Sequence, residues 1–179
     1  MLIIDIPGHE YYDPITELFE TKDPIRLRLE HSLVSISKWE AKWNIAFMGP
    51  TKKTDEQIYD YIRCMSIDED FDDTSLSRLT QKNIDDITKY IQAPMTATTI
   101  NQKGGRPNRE IVTSEVVYYW MISFNIPFEC QYWHLNRLLT LISVCNVKNQ
   151  PNKKQRPNDI LARNRELNAA RRKAMNTSG

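Results

Sequence analysis

The segment Glu129–Val147 constrains the fold more than any other stretch of the chain. Turned by about 100° per residue, Tyr132, Leu135, Leu138, Leu139 and Ile142 fall on one wide apolar face, which a helix must bury against other elements. A second apolar segment, Val116–Phe124, precedes it and stops at Asn125-Ile-Pro127, with Thr113 or Ser114 as its cap. The connection is short, which predicts antiparallel neighbours. Trp133, Leu138 and Ile142 are expected core positions. His134 lies beside the apolar arc and Arg137 near its edge, so each needs a partner if buried. No nucleophile or carboxylate companion is identifiable for His134, which favours a hydrogen-bonded structural histidine over a catalytic one.

Three more helices are expected upstream. Leu33, Ile36, Trp39 or Glu40, and Trp43 repeat at helical spacing behind a serine N-cap, and Gly49-Pro50 is expected to end that element. Thr54 followed by Gln57 is a capping-box pattern before Ile58, Tyr61, Ile62 and Met65. Thr80 caps a narrow stripe of Ile84, Ile87 or Thr88, and Ile91, closed by Pro94. Strand signals are weaker. Leu2–Ile6 is β-branched and stops at Pro7-Gly8, and Ile25–Leu29 alternates apolar and charged residues, so the two form an expected strand pair. Tyr11–Thr21 between them reads as an irregular connection or helical turn. Thr96–Ile100 and Arg109–Thr113 are β-prone and flank a Gly-Gly turn signal, which predicts a hairpin.

Charge divides the chain. Residues 148–179 hold nine Lys and Arg against Asp159 and Glu166, a net of +7; the rest holds 15 basic and 21 acidic residues, a net of −6. The expected fold is therefore mainly α with minor β. A compact helical domain over 1–147 carries the strand pair and the hairpin, and a basic linker and C-terminal helix occupy 148–179. That helix starts near Asn158-Asp159 and carries Ile160, Leu167 and Ala174 at heptad spacing among arginines. Such a stripe is marginal alone and suits docking on a partner.

Function classes narrow by exclusion. No nucleophile elbow, dinucleotide fingerprint or phosphate loop is present, and Lys103-Gly-Gly-Arg106 lacks the P-loop spacing. Asp68–Asp73 lacks the glycine and distal glutamate of a calcium loop and reads as a solvated acidic loop. Cys64, Cys130 and Cys145 stand apart without metal-ligand spacing, which predicts reduced, buried thiols. Catalytic, cofactor and metal sites are thus expected to be none. No apolar run approaches the roughly 18 residues of a membrane span, and Met-Leu-Ile-Ile-Asp-Ile-Pro lacks the basic start of a secretory leader. The tail arginines Arg163, Arg171 and Arg172 could neutralise phosphates, yet no readout fold is evident, so nucleic acid ranks below a protein partner.

The run His31-Ser-Leu-Val-Ser-Ile-Ser-Lys-Trp-Glu, with Tyr61-Ile-Arg-Cys-Met, Thr96-Ala-Thr, Tyr118-Tyr-Trp-Met, Ile126-Pro-Phe-Glu-Cys, Trp133-His-Leu-Asn-Arg-Leu-Leu and Leu167-Asn-Ala-Ala-Arg-Arg, resembles the tail assembly chaperones of long-tailed bacteriophages. The resemblance spans about Leu27 to Arg172. It implies a non-enzymatic protein of the host cytoplasm that binds the tape measure protein or other tail proteins during tail morphogenesis, with self-association as a further expectation. Candidate partner contacts are the flanks of Trp39 and Trp43, the stripe Ile160 and Leu167, and Arg163, Arg171 and Arg172. Two alternatives stand beside it: a virion component such as a head–tail completion or connector-type protein, and a DNA-binding protein using the basic tail.

Overall fold

The computed structural model describes residues 1–15, 17–68, 71, 74–99, 111–149 and 157–175. The two β-prone segments at the N-terminus pair as expected. Strands β1 (Leu2–Ile6) and β4 (Ile25–Leu29) run antiparallel with Leu2 opposite Leu29 and Ile6 opposite Ile25. Period-two alternation puts Ile4, Ile6, Leu27 and Leu29 into the core and leaves Ile3, Asp5, Arg26 and Arg28 outside. Asp5 and Arg26 then form an exposed ion pair at 2.6 Å.

The segment between them departs from the sequence expectation. It forms β2 (His9–Asp13) and β3 (Leu18–Lys22), a second antiparallel ladder with His9 opposite Lys22. Both ladders keep one register: the step after Ile6–Ile25 sets Pro7 against Pro24, the next sets Gly8 against Asp23, and pairing resumes at His9–Lys22. The ladders are thus two halves of one β-ribbon, interrupted where two prolines lack N–H donors. A Cβ on Gly8 would lie 2.8 Å from the Lys22 carbonyl oxygen, so only glycine allows this close approach. The Arg78 guanidinium donates to both Pro7 O (2.7 Å) and Asp23 O (3.0 Å), spanning the interruption. Leu18 and Phe19 are 65% and 74% exposed, so no buried face existed to imprint an apolar alternation on this segment.

Helices α1 (Leu33–Trp43), α2 (Asp55–Met65) and α4 (Gln81–Gln92) each begin with a complete capping box, from Ser32 with Ser35, Thr54 with Gln57, and Thr80 with Asn83. A single turn, α3 (Thr74–Ser77), precedes α4. Helix α1 stops at Asn44, which adopts the left-handed region (φ 53°), well before the expected Gly49-Pro50. Asparagine tolerates that conformation and needs no glycine. Asn125 (φ 52°) follows α5 (Ser114–Ser123) in the same way.

The expected helix over Glu129–Val147 is in fact two elements, a 3₁₀ turn (Phe128–Tyr132) and α6 (Leu135–Asn149). A long-range contact decides the break. His134 forms an isolated bridge with Ser32, and Leu135 N–H donates to His31 O (2.7 Å), so Trp133 is drawn into extended backbone. Tyr132 consequently leaves the core face and is 64% exposed, and Trp133 is half-buried under Arg137, whose guanidinium stacks 4.0 Å from its ring centroid. Leu135, Leu138 and Ile142 are buried as expected, with Leu33, Ile36, Trp39, Tyr61, Met65, Val117 and Met121 around them.

The expected hairpin over 96–113 is corrected where it can be seen: Thr96–Thr99 and Ile111–Thr113 form no strand, and its turn at 101–108 lies outside the described residues. Asp68 and Phe71 of the acidic segment belong to no helix or strand; residues 69, 70, 72 and 73 lie outside the described set. Backbone contacts group the chain into two compact units, Met1–Asn146 and Val147–Gly179. The second contains α7 (Pro157–Met175). Among the described residues no helix is long and apolar enough to cross a membrane.

Candidate functional site

Of the residues singled out as partner contacts, Trp39 is placed differently by the fold. Its side chain is 0% exposed, and its indole N–H donates to Gln57 O (2.8 Å), fastening α1 to the first turn of α2. It is a core residue, which helical spacing alone could not reveal, since an amphipathic aromatic fits either side of a helix. Trp43 is half-buried, and its indole N–H donates to Asp60 Oδ2 (2.8 Å) while Lys42 binds Oδ1 of the same carboxylate. Burial pushes the Asp60 carboxyl up, and the hydrogen bonds from Lys42 and Trp43 outweigh it and hold the group below its ordinary range. Only an apolar flank of Trp43 is left to offer.

On α7, Leu161, Leu167 and Met175 are 53%, 47% and 74% exposed, and Arg171 and Arg172 are exposed. Ile160 and Arg163 belong to the same helix, but their side chains lie outside the described set.

A surface that periodicity could not reveal lies on α5 and the 3₁₀ turn. Tyr119, Ile122, Phe128 and Tyr132 are each more than half exposed. Helix α5 is apolar nearly all round, so its sequence gives no stripe that separates a buried side from an exposed one. Tyr118 ties the two elements together by donating to Gln131 Oε1 (2.9 Å). Beside Tyr132 a cleft of about 290 Å³ opens over α1 and the end of α2, lined by Val34, Met65 and Ile67 with Glu30 and Lys38 at its rim.

Beneath these surfaces lie buried polar groups that hold the elements in place. Glu40 is 7% exposed and accepts two backbone N–H groups, from Phe47 (2.7 Å) and from Ser114 (2.7 Å). Ser114 opens α5, and its N-cap residue Thr113 makes no side-chain capping bond, so a carboxylate on α1 caps α5 instead. His134 is buried with both ring nitrogens engaged: Nε2–H donates to Tyr90 O (2.9 Å), and Asn136 N–H donates to Nδ1 (3.3 Å). That pattern fixes the neutral tautomer. His31, hydrogen-bonded to the Tyr61 hydroxyl, stands edge-on to His134 with ring centroids 5.1 Å apart. Burial, and secondarily the neighbouring His134, lower the His31 pKa to about 4; burial likewise lowers that of His134. Two histidines held neutral by their surroundings form a structural joint between α1, α4 and α6.

The three cysteines are free, with Cys130 buried and Cys64 and Cys145 only half-buried, a partial departure from the expected burial of all three. Burial pushes the Cys64 and Cys130 thiols up, away from the reactive thiolate. Among the described residues no group of three or more His, Cys, Asp or Glu is placed to hold a metal ion. Comparison with protein-family models, with curated proteins and with solved structures finds no match to this chain.

Proposed function

We propose that the protein is a non-enzymatic tail assembly chaperone, which covers apolar segments of a phage tape measure protein in the host cytoplasm until the tail is built. The observation that carries this reading is the surface of α5 and the 3₁₀ turn, where Tyr119, Ile122, Phe128 and Tyr132 leave the core and face solvent. A cluster of large exposed apolar side chains marks an interaction surface more often than a neutral one. A long helical protein awaiting assembly exposes the complementary apolar stripe and aggregates unless it is covered. Helix α7, with Leu161 and Leu167 among Arg171 and Arg172, is a second contact of mixed character, in which the arginines would pair with acids on the partner.

Co-expression with tape-measure fragments tests the reading. The wild-type chain should keep at least one fragment soluble, and Ile122→Asp with Tyr132→Ser should lose that effect while the protein itself stays folded. Because the contact combines apolar area with charge, added salt should weaken the complex only in part. A steep decline, of about one power of salt per phosphate neutralised, would instead mark nucleic-acid binding through the tail. Failure to solubilise any tape-measure segment would sink the assignment and promote the virion-component alternative.

A further inference from the structure

The β-ribbon leaves two features unsatisfied, and each supplies what the other lacks. The first is the free edge of β1. On β4, Arg28 O accepts from Ile67 N–H (3.0 Å), and Glu30 N–H donates to Met65 O (2.8 Å). Arg28 and Glu30 therefore turn their peptide groups away from β1, so Leu27 and Leu29 turn theirs toward it. By register, Ile4 and Leu2 answer them, and Ile3 and Asp5 direct their N–H and C=O groups to the open side of β1. Among the described residues no backbone group pairs with them. Among the described residues the outer edge of β4 is thus covered and that of β1 is not. Unprotected edges of this kind are templates for a further strand. Beside this edge runs a cleft of about 600 Å³ whose far wall is α4, with Lys82, Asn83, Asp86 and Lys89 facing it. Lys82 has no ion-pair partner among the described residues. A groove between a strand edge and a helix accepts an extended segment by strand addition.

The second feature is the β2–β3 half of the ribbon. An isolated two-stranded hairpin is marginal in water unless it gains a further strand or a packing surface. None of its described side chains is buried, and β3 presents Leu18 and Phe19 to solvent. Residues 9–23 carry five acids, Glu10, Asp13, Glu17, Glu20 and Asp23, against Lys22 alone. Because the arm continues the register of β1–β4, it extends along the ribbon axis and cannot lie beside β1 of its own copy.

We propose that the β2–β3 arm of one copy docks in the β1–α4 cleft of a second copy, with β3 adding to β1. Both strands are five residues long, so the ladders match. Leu18 and Glu20 share one face of β3; with that face turned to the cleft wall, Glu20 meets Lys82, and Leu18 gains the cover it lacks. Arm and cleft are different surfaces, so the contact is heterologous and joins copies head to tail into a ring or an open chain.

Sedimentation velocity on the full chain across a concentration series tests this. The wild type should self-associate. Ile3→Pro removes one outward N–H without touching the β4 ladder and should raise the dissociation constant about tenfold or more, roughly 1.4 kcal/mol. Lys82→Glu with Lys89→Glu, on exposed helix positions, should act alike and stands in if the proline variant misfolds. Leu18→Ser with Glu20→Lys disables the arm and should also yield monomers. An equimolar mixture of an arm-disabled and a cleft-disabled variant should then restore dimers that grow no further, since one intact arm and one intact cleft remain. A wild type that stays monomeric at its highest soluble concentration overturns the proposal and leaves both surfaces to other partners. An arm-disabled variant that associates like the wild type, as symmetric β1–β1 edge pairing would require, or a mixture that remains monomeric, overturns it equally.

Discussion

Replacing Glu40 tests whether a single buried carboxylate holds three elements together. Both oxygens are in use, Oε1 on Phe47 N–H and Oε2 on Ser114 N–H, each at 2.7 Å. Hydrogen bonds to a charged acceptor contribute about 1.5–3 kcal/mol each. The two losses are unequal in consequence. Phe47 is half-buried, so water can replace its partner, whereas Ser114 is fully buried and its N–H would be left without one. Glu40→Ala should therefore cost about 3–5 kcal/mol. Glu40→Gln keeps the shape and one carbonyl acceptor but sets an NH₂ against the other donor, so it should cost about 1.5–3 kcal/mol. A domain of ordinary stability, about 5–15 kcal/mol, would survive the second change more readily than the first. Urea unfolding followed by tryptophan fluorescence reads both values, with the slope against denaturant unchanged if only the native contacts are altered. A loss below about 1 kcal/mol for Glu40→Ala, or a Gln variant equal to wild type, would refute the long-range cap.

Three further outcomes follow from the same framework. His31 titrates near 4 in the folded chain and near 6.5 when unfolded, so the unfolded chain takes up the proton first as pH falls. Its share of stability is complete above about pH 6.5 and is lost toward pH 4, by about 3 kcal/mol, with His134 acting in the same direction. Urea midpoints at pH 7 and pH 4.5 check this, and His31→Gln should flatten the difference. Leu138→Ala, at a position 0% exposed, should cost about 2–5 kcal/mol in the same unfolding assay, and a near-neutral result would mean that α6 does not centre the core. Truncation after Val147 should cost only about 1–2 kcal/mol, and global unfolding of the shortened chain would show that the tail completes the core.

What the sequence made legible was what local chemistry decides. Ser32, Thr54 and Thr80 announced their helices because a capping box needs only the next three residues. Leu2–Ile6 and Ile25–Leu29 announced their strands because one face of each is buried. What stayed hidden depends on residues far apart in the chain. The Glu40 cap reaches across 74 positions to Ser114, and the break before α6 is set by the Ser32–His134 bridge. The β2–β3 arm gave no alternation because neither of its faces enters the core. Among the candidate contacts, Leu167, Arg171 and Arg172 could be named from a basic helix with a thin apolar stripe. Trp39 could not be distinguished from a surface residue, and Tyr119 and Ile122 could not be distinguished from core ones, since a large apolar side chain at helical spacing looks the same in either place.

The chaperone reading and the virion-component reading diverge most cleanly after assembly is finished. A chaperone of the tape measure protein acts on the unassembled chain and leaves it, whereas a completion or connector protein is retained in fixed copy number. Quantitative mass spectrometry of purified phage particles, set against the infected-cell lysate, separates the two. A chaperone should be abundant in the lysate and absent from the particle. Recovery from particles in a constant ratio to known tail proteins would contradict it.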